Sequence, residues 1–378
     1  MTIFLTLFFL VYSLLHTYAF MKAKSVLAFN VKAGILVYIF MVIMILSPVI
    51  VRAAEKYGLE LFARRLAYFS YTWMALIFLF VSASLCIDIY RFTLYLVTAI
   101  AHKDPSALIV SARYAFFIPL LLSLIVVTYG FFEARDIRAE TVVLKTSKLP
   151  KEVASLTIVQ ISDVHLGLMV REERLRMILD RVKEARPDLL VITGDLVDGQ
   201  INGLRDLAEP FNEISPRFGK FAVTGNHEFY AGLDKSLDFM KRAGFTPLRG
   251  KGITVARLIN IAGVDDLTVE YYSPLKNIRE KELLSGLPRE NFTLLLKHRP
   301  IVDEHALGLF DLQLSGHVHK GQIFPFTIAT KLYYPHYAGF ATLPRGSALY
   351  VSRGSGTWGP PIRVLAPPEV TVIKLIAQ

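Results

Sequence analysis

The chain has 378 residues, of which 53% are hydrophobic and only 20% charged, too apolar for one soluble domain and long enough for two unlike ones. Its net charge of +10 is uneven, because residues 1–150 hold 14 Lys and Arg against 7 Asp and Glu while residues 151–378 hold 28 against 25. The second half therefore lacks the basic excess that nucleic-acid binding by charge requires, and a single cysteine, Cys86, excludes any intrachain disulfide.

Four apolar runs come first, at 3–21, 33–51, 66–87 and 107–130, each close to the ~20 residues that cross ~30 Å of hydrocarbon. The first has no basic start and no clear small-residue cleavage site, so it reads as a span and not as a removed leader. Asp88–Ala101 continues the third run but is interrupted by Asp88 and Arg91. Joined to that run it would be too long for one crossing, so it is expected to bend along the interface, with an extended, tilted helix as the alternative. Arg113, near the start of the fourth run, is expected to snorkel to the headgroups. His16 and His102, in or near the spans, are expected to be structural.

Orientation follows from the loops. Arg52, Lys56, Arg64, Arg65, Arg135, Arg138, Lys145 and Lys148 would share one side, against Lys22, Lys24, Lys32, Arg91 and Lys103 on the other. Eight against five puts the second half on the cytoplasmic side of a cell (inner) membrane crossed several times. No ladder of acidic residues or repeated broken helices is present, so residues 1–132 read as an anchor of about four helices. A linker is expected over 133–154 and a second domain over 155–378.

From Leu156 the pattern changes to strands alternating with amphipathic helices. Strands are expected at Leu156–Ile161, Leu189–Ile192, Phe221–Val223, Leu258–Ala262, Thr293–Leu296, Asp311–Leu314, Ala348–Val351 and Glu369–Leu375. A helix is expected over Arg171–Ala185, with Leu175, Ile178, Leu179 and Val182 on one face and Pro187 just past its end. Further helices are expected at Leu204–Ile214, Leu233–Ala243 and Ile301–Leu307.

Five polar clusters sit where apolar runs end: Asp163-Val164-His165, Gly194-Asp195-Leu196-Val197-Asp198, Gly225-Asn226-His227-Glu228, Lys297-His298-Arg299 and Gly316-His317-Val318-His319. They hold five of the nine histidines with carboxylates and an asparagine, a nitrogen and oxygen donor set that suits first-row divalent metals. The donors are too many for one ion and about enough for two. Asp163 and His165, two apart past a strand end, can reach one ion together. Asp195 has two oxygens and can bridge two cations, and Gly194 before it allows a tight turn.

In this order, Asp-x-His, Gly-Asp-x-x-Asp, Gly-Asn-His-Glu, His and Gly-His-x-His resemble the calcineurin-like metallophosphoesterase superfamily, over about residues 155–378. With the spans, this implies an N-terminal α-helical transmembrane bundle plus a C-terminal α/β four-layer sandwich, two mixed β-sheets flanked by helices. The resemblance implies a first metal held by Asp163, His165, Asp195 and His319, and a second held by Asp195, Asn226, His298 and His317. The ions would be two divalent cations, Mn foremost with Fe, Zn or Co as alternatives, generating a bridging hydroxide that attacks phosphorus. His227 matches the family's histidine that protonates the leaving oxygen or stabilises the transition state. Asp198 and Glu228 are expected to orient these groups, or else to cap their turns. Arg299, Lys320 and Arg353 are candidates to hold a second phosphate, or else are isolated surface cations.

Gly321-Gln322-Ile323, Tyr350-Val351-Ser352-Arg353-Gly354 and Pro367-Pro368-Glu369-Val370 look like the family's bacterial membrane-associated branch, which includes hydrolases of UDP-diacylglucosamine in lipid A synthesis. Lys297-His298-Arg299 departs from the commoner neighbours of that histidine. The aromatic stretch Phe324–Phe340 could meet an acyl chain or the bilayer, or pack as a hairpin on its own domain. The expected function is hydrolysis of a phosphate ester or pyrophosphate bond on a lipid-linked substrate, with membrane lipids as partners, no nucleic acid and the oligomeric state open. The alternatives are a broad phosphodiesterase or phosphoprotein phosphatase, and a membrane regulator or transporter with a non-catalytic metal-binding domain.

Overall fold

The computed structural model of the chain describes residues 2–104, 106, 108–150, 152–199, 205–272 and 279–378. They fall into two units, Met1–Phe132 with Gly359–Ile362, and Glu133–Trp358 with Arg363–Gln378.

In the first unit the apolar runs form α1 (Thr2–Leu27), α2 (Val31–Lys56), α3 (Glu60–Ala101) and α4 (Ala112–Glu133), all long and apolar enough to cross a membrane. Asn30 caps α2 by accepting from the backbone N–H of Ala33 at 2.9 Å. The expected bend before Asp88–Ala101 is absent: α3 runs unbroken for 42 residues, about 63 Å at 1.5 Å per residue. Asp88 explains the difference. Its carboxylate accepts from the Tyr18 hydroxyl at 2.6 Å and pairs with Lys22, both on α1, so the charge is neutralised without the helix breaking. His16 is buried and bonded to Tyr12 O at 2.8 Å and to the Trp73 indole N–H at 2.9 Å, a structural role as expected. Arg113 is exposed in the first turn of α4.

In the second unit, residues 133–154 are not a plain linker, because they contain β1 (Arg138–Thr146). After it come β2 (Ser155–Ile161), α5 (Glu172–Glu184), β3 (Leu189–Thr193), β4 (Lys220–Val223), β5 (Thr246–Pro247), β6 (Lys251–Val255), β7 (Ile259–Gly263), β8 (Phe292–Leu296), β9 (Leu312–Ser315), β10 (Gly339–Thr342), β11 (Ala348–Val351) and β12 (Glu369–Ala377). One sheet runs β1-β12-β2-β3-β4-β5 and the other β10-β11-β9-β8-β7-β6, both of mixed direction. β1 pairs parallel with β12 from Arg138↔Glu369 to Thr146↔Ala377. As an edge strand it buries only alternate residues in part, a pattern too weak to read before β12 is in place.

Strand alternation sorts the cores. Leu156 and Ile158 of β2 face inward with Leu189 and Val191, meeting Ile261, Leu294, Leu296, Leu312 and Leu314 of the second sheet. Val159 and Ile161 face outward with Leu190 and Ile192, onto Leu175, Ile178, Leu179 and Val182 of α5. On the far side of the second sheet, Leu295, Leu349 and Val351 pack with Phe310 and Leu284. The result is helix, sheet, sheet and helix, the four layers expected.

Two helix expectations shrink to turns. Ile301–Leu307 yields only Glu304–Ala306, and Leu204–Ile214 yields Arg205–Ala208 and Glu209–Asn212, with Leu204 outside the described residues. Within Phe324–Phe340 the chain forms a helix, Phe326–Tyr333, before entering β10.

Candidate metal centre

β2, β3 and β4 are parallel in one sheet, and β8 and β9 are parallel in the other. The seven expected ligands all lie just beyond their C-terminal ends, where open α/β sheets gather ligands. Asp163 and His165 follow β2, Asp195 follows β3, Asn226 follows β4, His298 follows β8, and His317 and His319 follow β9. Five of the seven take positive φ: Asp163 53°, His165 55°, Asp195 52°, His317 73° and His319 48°. Side chains seldom adopt that region, at about 1–3 kcal/mol each, and such strain collects where function holds it. Gly194 is needed for closeness as well as for its φ of +92°, since a Cβ there would lie 2.5 Å from His298 Nδ1 and 2.7 Å from Gly225 N.

The ligating atoms form adjoining groups. Asp163, His165 and His319 make one and Asp195, His298 and His317 another, each with atoms within 4.8 Å of one another. His165 Nε2 and His319 Nε2 are 3.1 Å apart, and His319 Nε2 is 3.4 Å from Asp163 Oδ1. His298 Nε2 is 3.1 Å from His317 Nδ1 and 3.2 Å from Asp195 Oδ2, which is also 3.9 Å from His165 Nε2. Asp195 thus stands between the two groups. His298 donates from Nδ1 to Thr193 O at 2.8 Å, which turns its Nε2 toward the cluster.

The electrostatics favour cations here. Burial would raise the Asp195 carboxyl, but the charges of His298, His227 and His165 hold it well below the usual range. Burial would lower His298, yet Asp195 and Asp163 raise it to about 10. Burial, with the neighbouring His227, lowers His165 to about 3, and burial with His298 lowers His317 to about 3, so both present neutral lone pairs. Asn226 Oδ1 is buried with no hydrogen-bond partner, an oxygen that a metal would satisfy. The residues present therefore fit two divalent ions. Soft ligands are missing from the set, and carboxylate, amide and imidazole donors suit Mn, Fe or Zn.

His227 sits beside these groups, with its ring 4.7 Å from that of His165. Its Nδ1 donates to Asp198, 2.8 Å from the backbone O and 3.0 Å from Oδ1, which leaves Nε2 free to carry a proton outward. Burial opposes its protonation, but Asp195 and Asp198 outweigh burial and raise it to about 10. The Glu228 carboxylate accepts from the backbone N–H groups of Asp195, Leu196, Val197 and Gly225, tying the β3 turn to the β4 turn. Arg353 is paired with Glu140 of β1 and with Glu369 of β12 at 2.7 Å, so it clasps the edge of the first sheet.

Two residues of the site had no sequence signal. Arg363 is fully buried and donates to the carbonyls of Arg353, Gly356 and Ala366 and to His319 Nδ1 at 3.0 Å, holding that ring from behind. Asp266, past β7, is buried and pairs with Arg299 at 2.7 Å. Arg363 stands alone among uncharged neighbours and Asp266 is one of two adjacent aspartates, and the partners that give them meaning, His319 and Arg299, follow other strands.

A model of the calcineurin-like phosphoesterase family matches residues 156–321. An uncharacterized metallophosphoesterase of Aquifex aeolicus is 38% identical over 258 residues, 68% of this chain and 98% of that protein. An uncharacterized metallophosphoesterase of Campylobacter jejuni is 29% identical over 376 residues, 97% of this chain and 96% of that one. A transmembrane protein with metallophosphoesterase domain from Danio rerio is 33% identical over 68% of this chain, which spans 61% of that protein's length.

Proposed function

The chain belongs to the calcineurin-like phosphoesterase family, and from that premise we propose that it is a membrane-anchored hydrolase of phosphate esters or pyrophosphates with a dinuclear metal centre. The observation that carries this is Asp195, whose carboxylate lies between Asp163, His165 and His319 on one side and His298 and His317 on the other. Two divalent ions, when bound, supply an acidified water and neutralise charge on the phosphoryl oxygens. The protein's own groups do the rest. Asp195 turns Oδ2 toward both groups while its Oδ1 accepts from the His227 backbone N–H at 2.9 Å, and Asn226 would add a neutral oxygen that limits accumulated negative charge. His227 holds a proton on Nε2, kept in its tautomer by Asp198, and can hand it to the departing oxygen.

A lipid-linked substrate is the finer reading. The four helices long enough to cross a membrane support it. So does helix Phe326–Tyr333, which leaves Phe326, Ile328, Leu332 and Tyr333 exposed and is tied by Thr327 Oγ1 to the carbonyl of Lys320, next to His319. We take the metal to be manganese and place the second unit on the cytoplasmic side from the loop charges.

The test is hydrolysis of an aryl phosphodiester by the full chain in detergent with Mn²⁺. Asp195→Ala should lose both metal and turnover, while His227→Ala should keep its metal and lose about 10²–10⁴-fold in rate. Unaltered hydrolysis in Asp195→Ala would sink the mechanism. Stoichiometric metal without turnover on any phosphoester would favour a non-catalytic sensor instead.

A further inference from the structure

Within the first unit, α3 shows two faces that meet different surroundings. Ala63, Ala67 and Ser70 are fully buried. A second stripe, Leu61, Arg64, Tyr68, Thr72 and Leu76, recurs every three or four residues, the spacing that aligns side chains along one side of a helix. Together with Leu124, Val127 and Phe131 of α4 it lines a groove of about 690 Å³, within the ~300–1,000 Å³ of ligand sites. From Leu61 to Leu76 the helix rises about 22 Å, more than the ~15 Å of one half of the hydrocarbon core. Past Leu76 the two helices meet through Phe80 and Phe116, whose rings lie 5.5 Å apart.

The charge in this groove sits near one end. Arg64 and Arg65 both line it, and no described residue forms a hydrogen bond or ion pair with either guanidinium. By contrast, Arg52 of α2 is paired with Glu55, and Lys22 of α1 with Asp88. Successive helical residues point about 100° apart, so the mouth of the groove lies between the two guanidiniums. Guanidinium only donates, and its fork matches the oxygens of a phosphate. Tyr68, one turn further along, is an amphipathic ring of the kind found at headgroup level. Trp73 follows, and because its indole N–H is spent on His16 it offers the groove only its ring. Cationic at one end and apolar along its length, the groove has the division of an anionic lipid.

We propose that the groove between α3 and α4 binds one anionic glycerophospholipid, with its phosphate between Arg64 and Arg65 and an acyl chain running past Tyr68 and Thr72 to Leu76. Basic pockets between membrane helices hold anionic headgroups in this way. The lipid is a resident partner of the spans and not the substrate, so the site stands or falls independently of hydrolysis.

The test reads Trp73 fluorescence in the full chain, reconstituted into phosphatidylcholine vesicles. The chain has two tryptophans, so Trp358→Phe leaves Trp73 as the sole indole. Graded fractions of acyl-brominated phosphatidylglycerol or acyl-brominated phosphatidylcholine are the quenchers. Half-maximal quenching should need about tenfold less of the anionic lipid, the order expected for two arginines at a membrane surface. Replacing both by glutamine, Arg64→Gln with Arg65→Gln, should bring the two lipids close to equality, while Arg64→Lys with Arg65→Lys should keep part of the preference. Thr72→Phe sets a ring in the groove and leaves both charges, so it should also reduce the preference. A preference that survives Thr72→Phe unchanged would reduce the effect to diffuse attraction and overturn the site. Equal quenching by both lipids before any change to the groove would overturn it too. Quenching by neither lipid, with dimers trapped by cross-linking, would overturn it by seating a second copy in the groove. If the double glutamine variant does not fold, Thr72→Phe and the single Arg65→Gln decide between the same outcomes.

Discussion

Glu228 shows how much of the centre is held by a residue that touches no candidate donor atom. Four backbone N–H groups converge on its carboxylate, and three of them belong to the turn that carries Asp195. Glu228→Gln keeps the size but sets an amide NH₂ against N–H donors. It should cost about 2–3 kcal/mol of stability and weaken metal binding about tenfold, read by thermal melts and metal titration. Lys220 offers a test away from the metals. It is buried, with Nζ donating to Phe211 O at 2.8 Å, and burial lowers its pKa below the usual lysine value. Between that lowered value and 10.5 the unfolded chain holds more protons, so this residue's contribution makes stability rise with pH through that window. The gap in melting temperature between wild type and Lys220→Met should move in favour of wild type as pH climbs from neutral toward 10.5, and a gap that does not move would refute the assignment. His227, Asp195 and the histidine pairs were legible from motif spacing. Asp266 and Arg363 were not, because a buried charge outside any motif shows its meaning only through partners such as Arg299 and His319.

At the scale of elements, the turns after β3 and β4 are packed backbone to backbone, and Gly194 makes that contact possible. Gly194→Ala would push into His298 and Gly225 at a φ that alanine resists. The expected outcome is a loss of several kcal/mol, together with loss of metal from the position shared by Asp195, His298 and His317, measured as metal content per chain. α5 gives a simpler case. Leu179, 1% exposed between Leu175, Ile178 and Val182, fills the outer core of the first sheet. Leu179→Ala should cost about 2–5 kcal/mol while the metal stoichiometry of the folded fraction stays constant. The helix was readable because its apolar spacing is local. β1 was hidden because an edge strand alternates only weakly and finds its partner β12 more than two hundred residues later.

For the whole molecule, β1 moves the boundary of the second unit. A fragment of residues 133–378 contains both β1 and β12, whereas one of 155–378 leaves the open edge of β12 and strands Glu369 and Arg353 without Glu140. The longer fragment should be monodisperse and melt cooperatively, and the shorter one should aggregate, by light scattering, as bare strand edges do. Equal behaviour would show that β1 is dispensable. The sequence by itself determined the apolar spans, eight strands and the helices at 172–184 and 233–242 of the second half, and five ligand clusters at strand ends, because each of these signals lies within a few residues of chain. Only the tertiary structure decided which clusters face one another, that Arg353 belongs to the sheet edge, that Asp88 stays within one long helix, and that Arg299 is clamped beside His317. Those outcomes depend on partners far away in the chain, such as His165 with His319 or Asp88 with Lys22, and no local pattern encodes a contact that exists only once the sheets and helices have packed.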